Sequence, residues 1–86
     1  MNIELRLFGA FRDYDSSACI YVEVPDGARV ADVRAVLDAY GRAHWPGFQP
    51  ALLQRSALAS HDAVLRDHEP VPDDGRMAVL PPVSGG

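Results

Sequence analysis

A chain of 86 residues holds one domain with a small core. Hydrophobic residues make up 48% of it, which argues against disorder, and no run approaches the roughly 18–20 apolar residues of a membrane span. A net charge of −4 disfavours nucleic acid as a partner, and a single cysteine excludes an internal disulfide or a Cys-x-x-Cys site.

Ile3, Leu5 and Leu7 alternate with Glu4 and Arg6, which predicts a half-buried strand over residues 2–8. Gly9 breaks it, and residues 13–17 are turn-rich. A second alternating run over 18–24 places Ile20, Val22 and Val24 on one face and stops at Pro25-Asp26-Gly27. The two strands are close in sequence, so an antiparallel hairpin with a longer loop is expected. The period then changes. Val30, Val33, Val36, Leu37 and Tyr40 form one apolar stripe on a helix from about 30 to 43. Asp32 suits its first turn, whereas Arg29 is an unhelpful N-cap residue. Gly41 falls near the helix end, and Pro46-Gly47 closes the segment. Residues 44–56 read poorly beyond one short helical turn at 51–55. Short strands follow at 56–60 and 63–66 around a His61-Asp62 turn. Residues 70–75 are turn material, and Arg76 to Leu80 form a last strand.

This order predicts an α+β architecture in two layers, one main helix packed on one face of a mixed sheet. The last strand is apolar on both faces, so it is expected in the middle of the sheet, parallel to the first. That is the β-grasp, or ubiquitin-like, layout, with residues 81–86 projecting as a tail from a single domain spanning 1–86.

The tail reads Pro81-Pro82-Val83-Ser84-Gly85-Gly86. Two glycines lack Cβ atoms and permit close approach in a narrow site, and the proline pair stiffens the arm behind them. One reading is a device that delivers the Gly86 carboxylate; the other is a frayed terminus.

Other residues carry weaker signals. Cys19 reads as a small buried apolar residue rather than a persulfide carrier. His44, His61 and His68 lack metal-site spacing, so no metal is expected, and Asp73-Asp74-Gly75 reads as a tight turn. Phe8, Phe11 and Phe48 are core candidates, although Phe8 falls on the polar face of the first strand and also fits a partner-binding patch. Arg12 fits either a solvated surface position or a partner contact. All eight basic residues are arginine, so no lysine can accept an isopeptide bond. No basic-then-apolar leader opens the sequence, and a cytoplasmic location is expected.

Three stretches together resemble a known family. The ending Leu80-Pro81-Pro82-Val83-Ser84-Gly85-Gly86 resembles the tail of the small subunit of molybdopterin synthase, in the superfamily of ubiquitin-like sulfur carriers. Leu7-Phe8-Gly9-Ala10-Phe11-Arg12-Asp13 resembles its phenylalanine-to-arginine motif, and residues 69–79 resemble the turn and strand that lead into the tail. Ser60 stands where the family often has asparagine, and Arg29 where it has a good capping residue.

The resemblance implies a MoaD-type sulfur carrier with no catalytic side chains of its own. Gly86, supported by Gly85, would be the site of adenylate and thiocarboxylate formation. Pro81, Pro82, Val83, Ser84, Arg12 and Phe8 would contact partners. No cofactor would be bound by this chain; ATP and magnesium would belong to an E1-like (MoeB-type) adenylating enzyme, and a sulfur donor would follow it. The acceptor would be the MoaE-type large subunit, in a heterotetramer, acting on a pterin precursor during molybdenum cofactor synthesis. Carriers for thiamine or cysteine biosynthesis and ubiquitin-like protein modifiers share the tail chemistry. Neither nucleic acid nor membrane is an expected partner.

Overall fold

Side chains on a strand point alternately to its two faces, so an apolar-polar alternation fixes which face is covered. In the computed structural model, which describes residues 1–82, strand β1 (Asn2–Leu7) pairs antiparallel with β2 (Cys19–Glu23). Ile3 lies opposite Val22 and Leu5 opposite Ile20, and all four are buried. Between the strands the chain forms α1 (Ala10–Tyr14), where the sequence predicted only a break and a turn. Five residues are too few for helical periodicity to show; burial of Phe11 holds this turn in place.

Helix α2 (Val30–His44) buries Val30, Val33, Leu37 and Gly41 against the sheet, and Val36 and Tyr40 pack at the edge of that core. Gly41 lies in the last turn of the helix, and its bare Cα makes room for the Phe48 ring: a Cβ there would lie 2.7 Å from that ring. Arg29 offers no side-chain acceptor to the first turn. The helix start is satisfied differently. Val30 and Ala31 donate their backbone N–H groups to the carbonyls of Glu69 and Asp67, at 2.9 Å each. The Asp32 carboxylate accepts the Arg29 N–H at 2.8 Å, and the Arg29 guanidinium donates to the His68 carbonyl at 2.6 Å. A loop 35 or more residues downstream thus does the work usually assigned to a capping side chain.

Helix α3 (Pro50–Gln54) starts on proline, whose missing N–H is no loss at that position. The Arg34 guanidinium on α2 donates to the carbonyls of Leu53 and Ser56 and pairs with Asp67, tying α2, α3 and the capping loop together. Strands β3 (Ala57–Ala59) and β4 (Val64–Leu65) form a small antiparallel pair around the His61-Asp62 bend. Strand β5 (Arg76–Leu80) inserts between β1 and β3, parallel to the first and antiparallel to the second. The sheet order is β2-β1-β5-β3-β4, the β-grasp arrangement. Met77 and Val79 complete the core under α2, and Ala78 and Leu80 are half-buried on the opposite face. Among the described residues no helix is long and apolar enough to cross a membrane.

Leu37 is fully buried where α2 meets the sheet. Leu37→Ala is expected to lower stability by about 2–5 kcal/mol through lost burial and a residual cavity, read as a lower urea midpoint at unchanged slope.

Candidate functional site

Strand β5 leaves the sheet centre at Leu80 and hands the chain to Pro81 and Pro82. Pro81 is half-buried and Pro82 exposed. Pro81 rests on Gly9, where a Cβ would come within 2.7 Å of the Pro81 Cγ. Gly9 also has φ 56° and ψ −130°, a region that side-chain-bearing residues avoid. Both requirements select glycine. The sequence marked Gly9 as a strand breaker; its contact with Pro81 needs the parallel β1–β5 pairing to be seen.

Gly9 also sets the two flanking candidates. Its carbonyl accepts the Arg12 N–H at 3.0 Å, and the Phe8 carbonyl accepts the Phe11 N–H at 3.1 Å, which starts α1. Phe8 and Arg12 are both exposed and line one shallow depression beside the tail base. The Arg12 guanidinium makes no ion pair or hydrogen bond among the described residues. Phe8 and Arg12 are therefore brought together, and Gly9 between them in sequence touches Pro81, next to the exposed Pro82. Val83, Ser84, Gly85 and Gly86 lie outside the described residues.

An aromatic clasp fixes α1, and with it this platform. Tyr14 stacks on Trp45, with centroids 5.2 Å apart and planes 9° from parallel. Phe11 meets Tyr14 edge-on at 6.1 Å, and Phe48 does so at 5.7 Å. Trp45 Nε1 donates to Asp15 Oδ2 at 3.4 Å. The Asp15 carboxylate also accepts the Ser17 hydroxyl at 2.6 Å and the Ser17 N–H at 3.1 Å. Ser17 is the main cause, and Trp45 a lesser one, of an Asp15 pKa below the ordinary carboxylate value.

The face of the sheet away from α2 is open. Cross-strand pairing lines up Tyr21, Glu4 and Arg76 in one row, and Cys19, Arg6, Ala78, Ala59 and Val64 in the next. Among the described residues, the large apolar side chains found exposed, Phe8 at 42%, Tyr21 at 59% and Val64 at 63%, belong to this face. A groove of about 470 Å³ runs across it, with Phe8, Ala78 and Leu80 as its apolar wall and Arg6, Arg76 and His61 around it. Cys19 is a correction to the sequence reading: it is half-buried on this open face, opposite Arg6, rather than in the core. Strand parity with Ile20 was the signal that could have shown it. Arg6 and Arg76 were not singled out from the sequence, because the register that joins them to Phe8 is a long-range property.

The histidines stay apart. His44 packs on Tyr40 at 4.5 Å, His61 sits at the β3–β4 bend, and His68 lies in the capping loop. Among the described residues no three His, Cys, Asp or Glu side chains converge on a metal position.

The sheet order, with Pro81 and Pro82 leaving its central strand, places the chain in the ubiquitin-like β-grasp class. The chain matches the ThiS family over residues 5–86. It is also 33% identical to small archaeal modifier protein 3 of Haloferax volcanii, with all of both chains covered. The crystal structure of SAMP1 from Haloferax volcanii superposes with a TM-score of 0.73 at 25% identity, again over the whole of both chains. A protein–protein complex of subunits 1 and 2 of the molybdopterin-converting factor from Helicobacter pylori contains a chain that matches at 25% identity and a TM-score of 0.59, over the full length of each. The protein belongs to the ThiS/MoaD family of ubiquitin-like sulfur carriers.

Gly9→Ala should cost about 1–3 kcal/mol from backbone strain alone and displace Pro81, seen as amide shifts at Leu80 and Phe8 by NMR. Asp15 has a depressed folded-state pKa, so its contribution to stability is present above the ordinary carboxylate pKa and is lost as pH falls through the depressed one. Trp45 fluorescence on acid titration is expected to show a midpoint below pH 3.8, the unperturbed value.

Proposed function

We propose that this protein carries sulfur on Gly86 for molybdopterin synthesis. The observation that supports this most is the ThiS-family match running through the last residue, over a fold that presents Pro81 at the end of the central strand. A terminal carboxyl has a pKa of about 3.3–3.7 and is an anion at neutral pH, a poor electrophile until activated. An E1-like adenylating enzyme, using ATP and magnesium, would convert it to an acyl-adenylate with release of pyrophosphate. A sulfur donor would then displace AMP and leave the thiocarboxylate.

The acceptor in this reading is a MoaE-type large subunit that holds a pterin precursor, with two carriers and two large subunits in a heterotetramer. Recognition by a second protein is in keeping with the subunit 1–subunit 2 complex named for the Helicobacter pylori relative. Phe8, Arg12, Pro81 and Pro82 would contact the partner at the tail base, and Val83, Ser84 and Gly85 would thread its active site. The carrier supplies the reacting sulfur and its aim; the large subunit supplies acid-base groups. Gains from such positioning reach several kcal/mol, up to about 7–11.

A second reading is favoured by the likeness to small archaeal modifier protein 3. Here the activated Gly86 carbonyl would be attacked by a lysine amine of another protein, giving an amide and AMP. With no lysine of its own, the chain would act in that reaction as donor.

Intact-mass spectrometry after incubation with ATP, magnesium, an E1-like enzyme and a sulfur donor tests the carrier reading. Exchange of one oxygen for sulfur at Gly86 is expected, and deletion of Gly86 should abolish it while the circular dichroism spectrum is unchanged. No exchange, with an enzyme proven on another carrier, would overturn it; amide adducts on lysines of other proteins would favour the modifier.

A further inference from the structure

From Leu80 to Pro82 the chain has little freedom of its own. Leu80 is held in the sheet by its pairing with Ala57. The rings of Pro81 and Pro82 fix φ at both positions, and a following proline restricts Leu80 and Pro81 to extended ψ. What remains is set by the support under the Pro81 ring, and that support is Gly9. A Cβ at Gly9 would lie 2.7 Å from the Pro81 Cγ, 3.5 Å from its Cδ and 3.9 Å from its Cβ, so the ring lies across the bare Cα. The support is rigid. Gly9 follows a strand whose last residue, Leu7, donates its N–H to the Ala18 carbonyl at 2.9 Å. It opens α1 by accepting the Arg12 N–H, and the fully buried Phe11 and the aromatic clasp anchor that helix. The left-handed φ ends the strand, and the close approach seats the last segment of the chain. A turn whose only task was to end β1 would not need the second.

We propose that Gly9 is a positioning residue for the chemistry at Gly86: the seat it gives Pro81 sets the line on which the arm leaves the fold. The inference rests on the carrier reading above and adds the origin of the arm's aim. A side chain at position 9 must push the ring by about 1 Å to restore ordinary contact. Misplacement on that scale costs up to about 100-fold in rate where reacting groups must meet in one geometry. The rest of the domain is unmoved by such a shift. The loss therefore falls on kcat and leaves KM near its wild-type value.

The test is steady-state adenylation, measured as pyrophosphate release by the E1-like enzyme of the protein's own source. Wild type, Gly9→Ala, Pro81→Ala and Gly9→Ala/Pro81→Ala are compared, each shown to be folded by circular dichroism. Gly9→Ala is expected to lower kcat about tenfold or more, with KM changed by less than about twofold. Pro81→Ala removes the Cγ and Cδ that the new Cβ would strike. In that background Gly9→Ala is therefore expected to cost less than about threefold in kcat. This recovery separates aim from stability, because the backbone strain at position 9 is present with either residue at 81. An unchanged kcat for Gly9→Ala, or the same loss in both backgrounds, would overturn the positioning role and leave the carrier reading intact. If Gly9→Ala fails to fold, Pro81→Ala is read against Pro82→Ala. Each removes one ring from the arm, and Pro81 is the one seated on Gly9. A larger kcat loss at Pro81 is expected, and equal losses would overturn the proposal. No turnover of wild type, with an enzyme proven on another carrier, would overturn the carrier reading and this inference with it.

Discussion

Parallel pairing of β1 with β5 is the constraint on which the other features depend. Parallel neighbours cannot be joined by a tight turn, so between Leu7 and Arg76 the chain makes an excursion over one face of the sheet, from β2 on the far side of β1 to β3 on the far side of β5. Helix α2 lies within that excursion and buries the apolar face that β1, β2 and β5 share. The same pairing puts Leu7 opposite Val79, so the end of the first strand and the end of the last lie side by side. That is why Gly9 meets Pro81, and why a motif near the start of the chain forms the platform for a tail at its finish.

Elements with a long, clean period were legible in the sequence. The alternations of β1 and β2 and the stripe of α2 each span enough residues to define a face, and β5 was placed centrally because Ala78 and Leu80 add apolar groups to its second side. What stayed hidden was either short or distant. Helix α1 has five residues and one fully buried side chain, too little for a pattern. The cap of α2 is made by carbonyls more than thirty residues away, and nothing near Arg29 announces it. Cys19 shows a different failure: parity with Ile20 placed it on the open face, and the usual burial of cysteine outweighed that parity in the reading.

The candidate site divides along similar lines. Gly86, Gly85 and the prolines are recognisable because they are contiguous. Phe8 and Arg12 belong to a local motif and can be named, though the contact of Gly9 with Pro81 that brings the tail base to this motif is a tertiary fact. Arg6 and Arg76 reach one groove only through the β1–β5 register, and no local pattern links them. The two faces of the sheet thus answer to different requirements. The covered face must match α2 in shape, and its side chains are apolar throughout. The open face is free of that demand and can vary in charge without disturbing the core.

The start of α2 has a consequence for how this fold tolerates change. Its first N–H groups are answered by the backbone of residues 67–69, and backbone carbonyls are present whatever the side chains. Position 29 is therefore released from the usual preference for serine, threonine, aspartate or asparagine, and an arginine can stand there and reach across to His68. The requirement has moved from composition to length. The segment between β4 and β5 must bring those carbonyls to the helix end, and one residue more or less would carry them out of register. In this protein a loop that looks free to diverge is held to a measured span.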